Sequence, residues 1–203
     1  MLVTNIESMS TPPRTTLGGT STRERLQNAA LELFEERGFD RVTVEDIAAT
    51  AGVSHMTFFR HFGSKDRVLL DDPFDPRIAM AVAATDPELP AIERVAAGFL
   101  AVLPSIDPAD DAAVRRRLRI AVGNPALEGG MAANTRATQA AIAAIAADPN
   151  DRRDLNIAAA GCLGALMVAL LEWAADDSDA TLADAVGAAL RVMAPGLPTG
   201  EAR

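Results

Sequence analysis

From Leu26 to Phe34 the apolar positions Leu26, Ala29, Ala30, Leu33 and Phe34 fall at i, i+3, i+4, i+7 and i+8, the stripe of an amphipathic helix. Ser21-Thr22-Arg23-Glu24 precedes it with the form of a capping box, in which serine caps the first free amides and glutamate reaches back. Gly38 is placed to end this helix as a left-handed cap. A second helix is expected from Thr43, with Asp46 three positions on and Val44, Ile47, Ala48 and Ala51 on one face, until Gly52 breaks it. Ser54 is placed to cap a third over residues 55–61, closed by Gly63, and Ser64 to cap a fourth running through Leu70. Beyond that the pattern predicts helices over about 76–84, 90–103, 109–122, 125–147, 152–176 and 180–193, separated by prolines and by an acidic turn at Asp176–Asp179. No window alternates with period two, so the expected fold class is all-α.

The chain divides into three by composition. Residues 1–20 are Ser-, Thr-, Gly- and Pro-rich without apolar period, and are expected to be a disordered tail. Residues 21–70 carry 8 basic and 9 acidic side chains together with the tail, against 11 and 19 for residues 71–203, which places a domain boundary near 71. The net charge of −9 excludes a generally cationic coat for nucleic acid but leaves room for a local basic surface. A single cysteine, Cys162, excludes a disulfide framework, and Met1–Ser10 has no basic region followed by an apolar run. The longest uncharged run, Leu155–Leu171, is short for a membrane span and diluted by Asn156, Gly161, Gly164 and alanines. A soluble, cytoplasmic chain without membrane partner is expected.

The segment Thr43–His61 is short helix, glycine turn, short helix, the layout of a helix-turn-helix whose second helix enters the DNA major groove. Ala48 and Gly52 are small enough for close approach at the turn, and Ile47, Val53, Phe58 and Phe62 are placed to pack on the Leu26–Phe34 stripe. Ser54, His55, Met56, Thr57, Arg60 and His61 are left facing outward, with hydroxyls for phosphates or base edges and a methionine for a thymine methyl. By layout alone the same three helices also suit the end of an ordinary bundle.

The wording of the segment narrows this. Thr43-Val-Glu-Asp-Ile-Ala-Ala-Thr-Ala-Gly-Val-Ser, then Thr57-Phe-Phe-Arg-His-Phe-Gly-Ser-Lys65, with Arg37-Gly38-Phe39 before it, resembles the DNA-binding domain of the TetR family of bacterial regulators over about residues 22–70. The resemblance implies an N-terminal helix-turn-helix domain followed by a C-terminal helical bundle that holds a ligand pocket and a dimer interface. It implies a homodimeric transcription factor, usually a repressor, that binds a palindromic double-stranded operator and is released by a small apolar effector. By position, Thr43 caps the second helix and bonds a phosphate, Ser54, His55, Met56 and Thr57 lead the recognition helix, and Arg60, His61 and Lys65 hold the backbone, Lys65 with the N-terminus of the fourth helix. The family often has tyrosine where Phe59 stands, and Arg or Lys followed by a small residue where His55-Met56 stands, so base preference does not carry over.

The resemblance further implies a pocket enclosed by the helices between residues 76 and 147, for which Met80, Phe99, Leu103, Leu118, Val122, Met167 and Trp173 are the candidate lining, and dimerisation through the last two helices. It places a hinge at Asp71–Pro76. Arg115-Arg116-Arg117 and Arg119 read either as a solvated face supported by Asp111 or as the source of one inward cation for an acidic ligand; spacing does not choose. His55 and His61 lie six apart, off a common helix face, so no metal site is expected. No cofactor motif, phosphate loop or nucleophile motif is present, and no enzymatic activity is expected; a helical adaptor or a small all-α enzyme is the alternative.

Overall fold

The computed structural model describes residues 21–71, 75–107, 110–122, 124–176 and 178–196, and the expected tail at 1–20 and the hinge residues Asp72–Phe74 lie outside them. The described residues form ten α-helices and no strand: α1 Thr22–Arg37, α2 Val44–Thr50, α3 His55–Phe62, α4 Arg67–Leu70, α5 Asp75–Ala83, α6 Ala91–Val102, α7 Asp111–Ala121, α8 Pro125–Ala143, α9 Pro149–Ala175 and α10 Leu182–Met193.

The local signals act as read at the first three helices. Ser21 Oγ accepts from Glu24 N (3.1 Å) while Glu24 Oε2 accepts from Ser21 N (2.7 Å). Thr43 and Asp46 form the same reciprocal box at α2, and Ser54 Oγ accepts from Thr57 N at α3. Gly38 leaves α1 at φ 78, ψ 148, a backbone conformation almost confined to glycine, and Gly52 turns the chain at φ 67 between α2 and α3. Ser64 does not cap α4. That helix is a single turn whose preceding residue, Asp66, makes no side-chain cap, and it is supported by packing of Val68 and Leu69.

Two boundaries differ from expectation for one reason. Asp148 accepts from Asn150 N (2.8 Å) and Asp151 N (3.1 Å), so Pro149 is the first residue of α9 rather than a break. Proline at that position lacks only an amide that has no partner in any helix. α8 accordingly stops at Ala143, short of 147.

Two apolar clusters organise the packing. One joins α1, α2, α3 and α4 through Leu26, Leu31, Phe34, Ile47, Phe58, Phe62 and Leu69, and it takes in Ala121 of α7 and Leu127 of α8. The other joins α5, α6, α9 and α10 through Val82, Val95, Phe99, Leu155, Cys162, Leu166, Trp173 and Leu190. α9 is long and apolar enough to cross a membrane, but Leu155, Ala159, Cys162, Leu166 and Trp173 are buried against neighbouring helices, which makes it the central strut of the second cluster. Burial pushes the Cys162 thiol up to about 11. At α5–α6, a Cβ on Gly98 would come within 2.9 Å of the Val82 backbone nitrogen, so the contact requires glycine.

Candidate nucleic-acid interface and effector cavity

α3 is anchored from its inner face and left open on its outer one. Phe58 and Phe62 are buried in the first cluster, while Met56 is 69% exposed and Ser54, His55, Phe59 and Arg60 are exposed beside it. The Ser54 and Thr57 hydroxyls lie 2.9 Å apart and share a hydrogen bond, so together they present one donor–acceptor pair at the helix start. His55 Nε2 lies 3.0 Å from Glu45 Oε1 on α2, and its ring meets the edge of Phe59 at 4.6 Å between centroids. Among the described residues, nothing engages the Arg60 guanidinium.

The other predicted contact residues are already committed within the fold. Thr43 Oγ1 accepts from Asp46 N, and Asp46 Oδ2 accepts from Thr43 N (2.9 Å) and from Thr43 Oγ1 (2.7 Å); the two bonds to the carboxylate, the backbone one foremost, hold it below its ordinary value. Lys65 Nζ donates to the carbonyls of Phe39 (2.8 Å) and Val42 (2.9 Å) and sits 4.2 Å above the Phe39 ring. Lys65 thus fastens the turn ahead of α2, with one ammonium hydrogen left over. His61 is half-buried, and its carbonyl accepts from Arg23 Nη1 (3.1 Å). Arg23 also pairs with Asp71 and lies 4.4 Å over the Phe62 ring, tying the start of α1 to the ends of α3 and α4. The sequence singles out neither Arg23 nor Glu45, since each is a charged residue off the apolar stripe of its helix and takes its partner from another element.

The arginine run of α7 joins distant parts of the fold. Arg116 makes a two-pronged pair with Glu35 of α1, Nε to Oε1 at 2.8 Å and Nη2 to Oε2 at 2.7 Å. Hydrogen bonding from Arg116 lowers the Glu35 carboxyl from its ordinary value. Arg117 donates to the Leu69 and Asp71 carbonyls, both at 3.0 Å. Arg119 donates to Ala174 O, and Arg115 lies 4.3 Å over the Trp173 ring while bonding to the Asp176 and Ala180 carbonyls. Asp111, expected to support Arg115, instead accepts from Leu182 N at 2.9 Å.

A cavity of about 250 Å³ opens between the two clusters. Of the predicted lining residues, Phe99, Leu103, Leu118 and Met167 face it. Three do not. Met80 is 73% exposed, because the inner face of α5 is Ile78 and Val82 and Met80 turns away from both. Val122 is half exposed where the backbone becomes extended after α7. Trp173 is buried elsewhere, with Nε1 donating to Ala180 O at 2.7 Å, and it borders a shallow groove between α9 and α10. The sequence missed Leu69 and Leu70, through which α4 forms part of the wall, and Asn134 and Thr135; of the arginine run left open between a solvated face and an inward cation, Arg117 borders the cavity. Among the described residues no cluster of His, Cys, Asp and Glu is arranged to hold a metal.

Known proteins match both halves. The family model "Bacterial regulatory proteins, tetR family" matches residues 26–71, and the model "MftR C-terminal domain" matches residues 89–198, more than half of the chain. The chain belongs to the TetR family. This TetR-family chain is 27% identical to the mycofactocin biosynthesis transcriptional regulator MftR of Mycobacterium tuberculosis, over 87% of its own length and 91% of the relative's. It is 38% identical to the regulator TcmR of Streptomyces glaucescens over 40% of its own length and 37% of the relative's. Its fold matches SmeT in a complex with triclosan (TM-score 0.56, 21% identity, 85% of this chain and 89% of that one). It also matches NalD of Pseudomonas aeruginosa, the secondary repressor of the MexAB-OprM efflux pump (0.53, 21%, 86% and 94%). The all-α architecture, helix-turn-helix half and C-terminal helical half expected of the family are present, and the chain is a DNA-binding transcriptional regulator of that family.

Proposed function

We propose that this TetR-family chain is a repressor that binds a palindromic operator as a homodimer and is released by a small, largely apolar effector. The observation that carries the reading is the outer face of α3: exposed Ser54, His55 and Met56 beside a half-buried Thr57, with an unengaged Arg60 behind them, on a helix fixed by capping and by two buried phenylalanines. In this reading His55 and Met56 meet base edges, Glu45 orients the His55 ring, and Arg60 binds phosphate. Thr43, His61 and Lys65 act chiefly by holding α2 and α3 in place, Lys65 with its remaining hydrogen toward a phosphate.

The groove between α9 and α10, bordered by Ala165, Val168, Ala189 and Val192, supports a dimer through the last two helices. Val168 is 57% and Val192 80% exposed, and a Cβ on Gly164 would meet open space. Gly161, by contrast, lies against Met193 of the same chain. Two recognition helices must then fit successive major grooves roughly 34 Å apart, and an effector releases DNA by favouring a state that spaces them otherwise. The chain acts in the cytoplasm. Its relatives are transcriptional regulators, which favours this reading over a helical adaptor or a small enzyme.

The test is binding of the full chain to fragments from upstream of its own gene at two salt concentrations. Selective binding that weakens steeply with salt is expected, and Arg60→Ala should reduce the salt slope by about one and weaken all sequences alike. No binding at low salt, even to pooled genomic DNA, would overturn the reading.

A further inference from the structure

Residues two apart on a helix point to opposite sides, so Met56 of α3 stands away from buried Phe58, and Arg60, four positions on, shares its outward face. The polar side chains around Met56 are either committed or undiscriminating. His55 has Nε2 held 3.0 Å from Glu45 Oε1 and the Phe59 ring against its own. The Ser54 and Thr57 hydroxyls share one hydrogen bond and between them still both donate and accept, which suits the edge of any base pair. Arg60, with nothing engaging it among the described residues, supplies a charge for phosphate. Met56 is the most exposed large apolar side chain of this face, at 69%.

That side chain does select. Its thioether donates nothing and accepts weakly, and the rest of it is hydrocarbon. Laid over an amino group or a carbonyl of a base edge, it displaces water without replacing the hydrogen bond, which lowers affinity. Laid over the C5 methyl of a pyrimidine, it removes apolar surface from water, which raises affinity. Both effects favour the same base feature. In the major groove thymine carries that methyl, and 5-methylcytosine carries the same group on the same ring carbon. We infer that Met56 reads a pyrimidine C5 methyl group, and that DNA binding by this regulator therefore responds to cytosine methylation wherever a cytosine occupies the position under Met56. This rests on the operator reading above and names the base chemistry that the same face takes.

The full chain is first used to select a site from a random duplex pool, and the selected duplex is then remade with each thymine in turn replaced by uracil, which lacks only the methyl. At least one position in each half-site is expected to lose about fourfold in affinity, the value of burying one methyl, and about sixteenfold when both half-sites are changed. With cytosine placed at that position, the C5-methylated duplex should bind about fourfold tighter than the unmethylated one. Met56→Ala should abolish both differences there, and Met56→Leu, which stays apolar, should keep them; a merely structural methionine would not set a difference confined to one base position. Because Met56 is exposed, both variants are expected to melt like the parent. Uracil tolerated at every position by the parent, or uracil penalties in Met56→Ala equal to the parent's at every position, would overturn the inference and leave the operator reading standing. A pool from which no site is selected would overturn the operator reading and the inference with it.

Discussion

In residues 21–71 several of the decisive polar side chains act within one turn of themselves, whereas in residues 75–196 many reach across the chain. Ser21 with Glu24, Thr43 with Asp46 and Ser54 with Thr57 are all three apart. Against these stand Arg94 with Asp151, Asp111 with Leu182, Arg119 with Ala174 and Arg116 with Glu35, separated by 57, 71, 55 and 81 positions. In the second region α10 alone among the described helices has a reciprocal box, Thr181 with Asp184, while α8 and α9 start on the one-sided caps Asn124 and Asp148. The difference follows from composition. Alanine-rich helices bury little area per residue and fill little of the space between axes, so apolar packing alone orients them weakly. An arginine spans that space and delivers forked donors to carbonyls on the far side. The head is therefore specified by local signals, and the body by a few long cross-links.

The largest effect should come from breaking the head at its centre. Phe58→Ala removes a ring with no exposure and is expected to cost about 3–5 kcal/mol in denaturant unfolding, with loss of the head's helical signal. In the body the matching break is steric rather than a cavity: Gly98→Ala drives a methyl into the α5 backbone and should cost roughly 1–3 kcal/mol, lowering the midpoint of unfolding. A local polar signal is worth less. Thr43→Ala should cost about 1 kcal/mol, read in the same unfolding curves.

The smallest effect probes a cross-link. Arg116→Ala or Glu35→Gln should cost no more than about 1 kcal/mol, because both side chains are substantially exposed. Its pH dependence identifies it. Arg116 holds the Glu35 carboxyl below its ordinary value of 4.5, so the pair stabilises the parent above that pH and the contribution is lost as pH falls below it. The difference between parent and variant, measured at neutral pH and again in acid, should shrink toward zero in acid. A difference that persists would mean that Arg116 acts through packing alone.

The same contrast explains what the sequence discloses. α1, α2 and α3 were legible because their caps and glycines lie beside the helices they bound. The outward row from Ser54 to Arg60 was legible because burial of Phe58 and Phe62 fixes the helix phase. The end of α8 was not: residues 140–147 are alanine and isoleucine throughout, and the break comes from the Asp148–Pro149 start of the next helix. The arginine run was open for a similar reason, since four identical side chains in five positions take their directions from carbonyls elsewhere in the fold. Leu69 and Leu70 read as the inner side of the head, and only the packing of α7 and α8 beside them makes them cavity wall.

The first cluster does not end where the head does. Leu127 has no exposure and Ala121 is nearly buried, and both sit in the same core as Phe34, Phe58 and Leu69. The head is consequently not a portable module. A chimera that transplants residues 21–71 onto a foreign body would leave one wall of its core open to water, however faithfully it copies α3. Exchange of DNA specificity between such regulators is instead expected to succeed when the outward row of α3 is rewritten in place, or when α7 and the start of α8 travel with the head as a single inheritance.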